Sequence, residues 1–226
     1  MSVGFKIKRI ARRVSPETVA AFKRLPCANV SDCMSRMFAG GAKLRPMHRE
    51  GVLAGPAFTV KTRPGDNLMV HKALDIAEAG DVIVVDAGGD LTNAIIGEIM
   101  VNHAKNRKLA GIVIYGAIRD FGTIRHQDWP VYAAGVTHRG PYKDGPGEIG
   151  VPVAFDGMVI EPGDLILGDP DGLVCVPYEA TAKVLADTQA KHAAEEKTLA
   201  ALAAGKSADR SWIDKSLERL GVAYEE

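Results

Sequence analysis

Residues 109–120 read LAGIVIYGAIRD, an apolar run that ends by setting Arg119 beside Asp120. A continuous run of this kind predicts a strand covered on both faces rather than one half in water. A second run, VIVVD at residues 82–86, closes on Ala87-Gly88-Gly89-Asp90. Between the two, TNAIIGEIMVNHAKNRK (92–108) predicts a helix that opens after Thr92 or Asn93, with Ile95, Ile96, Ile99, Met100 and Ala104 on one side. Strand, helix and strand in that order form the repeating unit of a parallel sheet with right-handed crossovers.

The same alternation extends outward. GVLAGPAFTVKTRPGDN (51–67) reads as a strand and turn, and LMVHKALDIAEAG (68–80) as an amphipathic helix stopped by Gly80. VYAAGV (131–136) is a further strand, followed by the glycine-rich loop THRGPYKDGPGEIG (137–150). Upstream, Ser15 as N-cap with Pro16 and Glu17 behind it opens a short helix, and a second is expected near Asn29 or Ser31. From Val151 the period changes. Short strands are punctuated by Asp156-Gly157, Pro162-Gly163 and Asp171-Gly172, all turn signals, and should form a β layer on the same core. The Ala-rich stretch from Glu179 to Ala204 reads as one long helix. An α/β domain over residues 1–178 with a helical extension over 179–226 is the expected organisation.

The 28 basic and 28 acidic residues cancel, so no global field recruits nucleic acid or an anionic membrane. Cys27, Cys33 and Cys175 lack CxxC spacing and read as buried or idle thiols in a reducing compartment, not as a zinc site. No apolar run reaches membrane-spanning length, and the basic start MSVGFKIKRIARR has no apolar stretch behind it. These features predict a soluble cytoplasmic chain with neither nucleic-acid nor membrane partners.

Open parallel sheets carry their functional residues at the carboxyl edge. Asp86, the Gly88-Gly89 turn and Arg119-Asp120 should therefore share one rim, with a helix starting there that holds Gly97 and Glu98 in its first turns. Free amides at a helix start, opened by a glycine, suit an anion. Arg119 adds a planar fork for a carboxylate. Asp120 and Glu98 add hard oxygen ligands, or bases, of the kind Mg²⁺ takes. The competing reading of Arg119-Asp120 is a solvated ion pair at a helix N-terminus. No lysine is expected on this rim, which leaves no candidate for a Schiff base. His48, His103, His126 and His192 are assigned no role, His138 reads as a solvated loop residue, and Asp169-Pro170-Asp171-Gly172 as a hairpin turn.

Glu98, twenty intervening residues and then Arg119-Asp120 resemble the D/E-x20-R-D signature of the class II pyruvate aldolases, which act on 4-hydroxy-4-methyl-2-oxoglutarate and 4-carboxy-4-hydroxy-2-oxoadipate within the RraA-like superfamily. CANVSDCMSRM, RPGDNLMVHKAL, GDVIVVDAGG, GEIMVNHAKNRKLAGIVIYGAIRD, PGDLILGDPDGLVCVP and AAEEKTLAALAAGK are each similar to a segment of that superfamily, in its order. The resemblance implies a single layered domain of the swivelling β/β/α type and a lyase that uses Mg²⁺ or Mn²⁺ to release pyruvate from a γ-hydroxy-α-keto acid. It implies Asp120 as metal holder, Glu98 acting through a metal water, and Arg119 at the enolate oxygen. The amides of Ile99 and Met100, just after Gly97, would grip the pyruvyl carboxylate, with Asn67 and His71 as nearby polar positions. It further implies trimers or hexamers, and a carboxylate supplied by the neighbouring subunit, Glu195 or, in the alternative register, Glu196. Oxaloacetate decarboxylation is an expected side activity. Some superfamily members are instead non-catalytic regulators of a ribonuclease. A methyltransferase reading finds no glycine motif for S-adenosylmethionine.

Overall fold

The structure, a computed structural model, describes residues 3–223. It opens with β1 (Phe5–Ile7), α1 (Pro16–Phe22), α2 (Cys27–Cys33) and β2 (Arg45–Pro46). The alternating region follows as β3 (Leu53–Thr62), α3 (Leu68–Ile76), β4 (Val82–Asp86), β5 (Ala94–Ile96), α4 (Glu98–Asn106), β6 (Gly111–Ile118), α5 (Phe121–Ile124) and β7 (Val131–Val136). Then come β8 (Gly147–Ile149), β9 (Val153–Phe155), β10 (Met158–Ile160), β11 (Leu165–Asp169), β12 (Gly172–Val176), α6 (Thr181–Ala203) and α7 (Ser211–Arg219).

Strands β3, β4, β6 and β7 lie side by side and parallel, so their carboxyl ends face one edge. Antiparallel neighbours flank them: β8 and β11 pair with β3, and β2 pairs with β7. Side-chain alternation divides the two faces. Ile83, Val85, Ile112 and Ile114 join a core with α3 and α4, while Val82, Val84 and Val113 pack against Val153, Phe155 and Met158 from β9 and β10. Helices thus cover one face and a small β layer the other, which is why every one of these positions is apolar. A third core holds α1, α2 and the start of α6 against β11 and β12.

The chain divides into two compact units, one ending at Thr188 and the other beginning at Gln189. The division lies inside α6, not before it at 178, because Val184 and Thr188 are buried with the first unit. The second unit holds the rest of α6 and also α7, a helix that the sequence reading did not anticipate. Among the described residues no helix is long and apolar enough to cross a membrane.

Two helix starts differ from expectation. Helix α2 begins at Cys27 behind Pro26, whose fixed φ suits a helix entry, and not at Asn29 or Ser31. The helix expected from Thr92 or Asn93 begins at Glu98 instead. Ala94–Ile96 is a strand that pairs with Ala117 and Ile118, so Ile95 and Ile96 are buried by the sheet rather than by a helix face. Ile99, expected in the core, is 81% exposed.

Asp66 gathers the loops at the carboxyl edge. Its Oδ1 accepts from the Leu68 N–H at 2.9 Å, and its Oδ2 from the N–H groups of Asp144 and Gly145 at 2.9 and 2.8 Å. Burial alone would raise its pKa. The amides of Leu68, Asp144 and Gly145 outweigh that and hold it below the usual carboxylate value. A depressed folded pKa contributes stability that is complete above the unfolded value, about 3.9, and is lost as pH falls through the folded one. Asp66→Asn should therefore lower stability by about 2 kcal/mol at neutral pH, the scale of leaving buried donors poorly paired. The gap between parent and variant in urea unfolding should hold from pH 7 to 5 and narrow below pH 4. A gap that is absent at neutral pH, or constant into acid, would contradict this role.

Candidate active site

Four loops leave the carboxyl edge of the parallel strands, and each contributes to one cavity of about 320 Å³. Asn67 and His71 come after β3, Ala94 to Gly97 with Ile99 and Met100 after β4, Arg119 after β6, and Gly140, Pro141 and Lys143 after β7. The edge rule expected a site there, and the register explains its depth. The β4–β6 ladder runs out at Asp86 and Tyr115, whereas β6 continues to Ile118 with β5 as its new neighbour. Arg119 is thereby carried past Asp86, which does not line the cavity; its carboxylate instead accepts from the Gly88 N–H.

At the lip, Asp120 Oδ2 accepts a hydrogen bond from the Glu98 N–H at 2.9 Å, and Arg119 Nε lies 3.8 Å from the same oxygen. Arg119 N–H donates to the Ile96 carbonyl at 2.9 Å, which fixes the pair against β5. Gly97 permits this approach. A Cβ there would fall within 3.0 Å of Asp120 Oδ2, Arg119 Cγ and Arg119 Nε. Gly97 has extended backbone, so the requirement is for space and not for a special φ. The first helical hydrogen bond of α4 runs from Val101 N–H to Gly97 O. With Glu98 N–H given to Asp120, the amides of Ile99 and Met100 have no acceptor in a preceding turn, and both residues line the cavity at a helix end, which favours an anion.

Asn67 is 2% exposed and donates through Nδ2 to Ile95 O at 2.9 Å, while its Oδ1 is buried with no hydrogen-bond partner. The oxygen is closed to solvent although the residue lines the cavity, an unpaired buried acceptor next to it. His71 is held below the ordinary imidazole value, first by partial burial and then by the charge of Lys143. Lys143 corrects the expectation that no lysine sits on this rim. The loop carrying it is far away in sequence, and is brought back by the backbone pairing of Asn67 N–H with Tyr142 O and of Tyr142 N–H with Gly65 O, together with the Asp66 carboxylate on the Asp144 and Gly145 amides. Asp66, too, was missed. Its signal was an Asp two residues before a helical amide, behind the Pro64-Gly65 turn.

Glu98 is the first residue of α4, half-buried, and its side chain is not part of the cavity wall. Glu195 is on α6 in the second unit, 2.8 Å from Lys191 Nζ, with Glu196 3.6 Å from His192. His138 is exposed, whereas His48 has a structural role, its Nδ1 3.1 Å from the Val131 carbonyl. Asp169 and Gly172 close the β11–β12 hairpin, and Asp169 Oδ2 caps the Cys27 N–H at 2.8 Å. Burial pushes the Cys27 and Cys175 thiols up, which keeps them unreactive.

Among the described residues no group of three or more His, Cys, Asp or Glu side chains could hold a metal ion. That donor set does not suit zinc, which needs three or four protein ligands. It does suit an ion of the Mg²⁺ type, which takes one or two carboxylates and completes its shell with water and substrate oxygens. Asp120, half-exposed at the lip, is the carboxylate in position to do so.

Residues 27–175 match the RraA-like family, described as Aldolase/RraA. The chain belongs to that family. It is 36% identical over 199 residues to a Halalkalibacterium halodurans protein named "Putative 4-hydroxy-4-methyl-2-oxoglutarate aldolase", a match covering 88% of this chain and 95% of the relative. A crystal structure of an uncharacterized protein from Pseudomonas syringae pv. tomato superposes with a TM-score of 0.78 at 25% identity, over 86% of this chain and 96% of the other. The RNA-processing inhibitor RraA from Thermus thermophilis gives 0.63 at 31% identity, over 67% and 92% of the two chains. The RraA-like layered α/β domain with a helical C-terminal region agrees with the sequence reading.

Gly97→Ala should leave the thermal midpoint close to the parent's, because its φ and ψ suit alanine, while displacing Asp120 from the Glu98 amide. An amide NMR spectrum in which Glu98 N–H is unchanged would mean that the contact survives a Cβ at this position.

Proposed function

We propose that the chain is a divalent-metal-dependent lyase that cleaves a γ-hydroxy-α-keto acid and releases pyruvate. Compounds of the 4-hydroxy-4-methyl-2-oxoglutarate or 4-carboxy-4-hydroxy-2-oxoadipate type are the substrate class, with oxaloacetate decarboxylation as a side activity. The observation that supports this reading is that Arg119, Gly97, Ile99 and Met100 line a single cavity, with Asp120 hydrogen-bonded to the Glu98 N–H at the start of α4 beside it.

The amides of Ile99 and Met100 receive the substrate carboxylate at the positive end of α4. Arg119 then lies where the keto oxygen gathers charge, and its fork can donate to that oxygen. Cleavage removes the proton of the 4-hydroxyl, turns C4 into a carbonyl and breaks the C3–C4 bond. The bonding pair becomes a pyruvate enolate with its charge on the C2 oxygen, and protonation at C3 completes pyruvate. Glu98 acting through water, or the neutral His71 imidazole, serves as the base for the hydroxyl proton. Asn67 contributes a polar side chain to the cavity wall beside the substrate. Asp120 would hold a Mg²⁺ or Mn²⁺ ion, which when bound would supply Lewis-acid chemistry at the keto group.

Self-association as a trimer or hexamer, in which the extension lends Glu195 to a neighbouring subunit, belongs to the same proposal. A second reading, a non-catalytic interaction protein, draws on the likeness to the Thermus thermophilis inhibitor.

Purified protein with Mg²⁺ should release pyruvate from oxaloacetate and from branched γ-hydroxy-α-keto acids, and exhaustive EDTA should abolish both activities. Inactivity across that panel favours the interaction protein. Turnover that survives EDTA rules out the metal-dependent route. Arg119→Lys should lose about a hundredfold or more in kcat, as when one oxyanion donor is removed, and near-parental turnover would return Arg119 to a solvated pair. Glu195→Gln and Asp120→Asn should each be nearly inactive, yet equal mixtures of exchanged subunits should regain about one site in four. Mixed oligomers no more active than their parents would exclude Glu195 acting across subunits.

A further inference from the structure

The Arg119 side chain is flanked by two glycines. A Cβ on Gly97 would fall within 3.0 Å of Arg119 Cγ and Nε, and a Cβ on Gly140 would stand 3.5 Å from Arg119 Nη1. The side chain is 43% exposed, and among the described residues its charged partner is Asp120, with Nε 3.8 Å from the carboxylate. That distance is too long for a hydrogen bond, so the two glycine backbones bound where the guanidinium can lie. We infer that Asn93, a buried residue outside the cavity wall, is a positioning residue that holds the Gly140 backbone against Arg119. This deepens the proposed function and rests on it.

Asn93 is 8% exposed and directly precedes β5. Its Nδ2 donates to the Gly140 carbonyl, while the adjoining Ala94 N–H donates to the Arg139 carbonyl at 2.8 Å. The backbone bond seats Arg139 beside the start of β5, yet it does not reach the next residues. Gly140 has no side chain, and Pro141 has no N–H to offer. Beyond them, Tyr142 N–H is taken by Gly65 O at 2.8 Å. Among the described residues, the Asn93 amide therefore makes the one hydrogen bond that holds the loop between Arg139 and Tyr142. A Cβ on Gly65 would lie 3.2 Å from Asn93 Cβ, so the turn before α3 also packs against this residue.

Little water reaches Asn93, so releasing Gly140 would leave its amide poorly paired, and the contact resists opening. The loop is thereby kept against Arg119 instead of swinging clear of it. In the proposed reaction Arg119 acts on charge that develops only as the bond breaks. A guanidinium displaced by about 1 Å should then cost rate more than binding, on a scale of up to about a hundredfold.

The test uses Asn93→Asp, which keeps the shape of the side chain but sets an acceptor against the Gly140 carbonyl. Where its buried charge prevents folding, Asn93→Ala, which removes the donor without adding a charge, carries the same test. One readout is the Arg119 Nε–H signal in the NMR spectrum of isotope-labelled protein without substrate, assigned by its loss in Arg119→Lys. The other is steady-state decarboxylation of oxaloacetate with Mg²⁺. The substitution should shift the Arg119 signal and lower kcat about tenfold, with KM within about twofold of the parent's. A residue that served stability alone would lower the thermal midpoint and leave both the signal and kcat of the folded protein unchanged. An unmoved signal, a parental kcat, or a change confined to KM would overturn the positioning role. A parent that does not turn over oxaloacetate would count against the keto-acid reading, and the Arg119 signal would still decide the placement.

Discussion

One carboxylate oxygen on one backbone amide joins the end of β6 to the start of α4: Asp120 Oδ2 on Glu98 N–H. The contact fills a helix terminus from a neighbouring strand rather than from the helix's own cap, since Gly97 has no side chain to offer. It sets Arg119 along the same junction, where Ile99 and Met100 line the cavity. A larger residue at 97 would take the space, and a strand β6 that stopped level with β4 would never reach it. The arrangement therefore depends on a mismatch of strand lengths, which β5 makes tolerable by pairing with the overhang.

The sheet was legible because its central strands are apolar at every position, as covering on both faces demands. Val82, Ile83, Val84 and Val85 alternate between a helical and a β layer without any change in polarity. The same uniformity hid the boundary at residues 94–98. Ile95 and Ile96 continue smoothly into the apolar spacing of α4, so the sequence reads as one helix, and only Gly97 marked the break. Ile99 fell on the expected core stripe but is exposed and lines the cavity.

The rim residues that follow strands were legible for a topological reason, because strand ends converge wherever the strands are parallel. Lys143 and Asp66 were not. Nothing in the run PYKDGPG ties it to residues 63–67, and Asp66 looks like any turn aspartate until three amides from two loops are seen on it. Roles created by contacts between distant segments leave little local trace. The short stretch Arg119-Asp120 did carry its own signal, since two opposite charges directly after a buried strand must lie at an edge.

Asp66 takes its loop donors from residues 78 and 79 positions further along the chain. The cavity it organises is thus a late product of chain closure. A chain that has emerged and collapsed only as far as β6 possesses Arg119, Asp120 and the α4 terminus, yet has neither the Lys143 wall nor the donors that hold Asp66. Contacts so distant in sequence are reached only after the intervening loops have closed, at an entropic cost that grows with their length. Assembly of the cavity therefore requires the chain at least as far as Gly145, and a shorter folded stretch has only part of its wall.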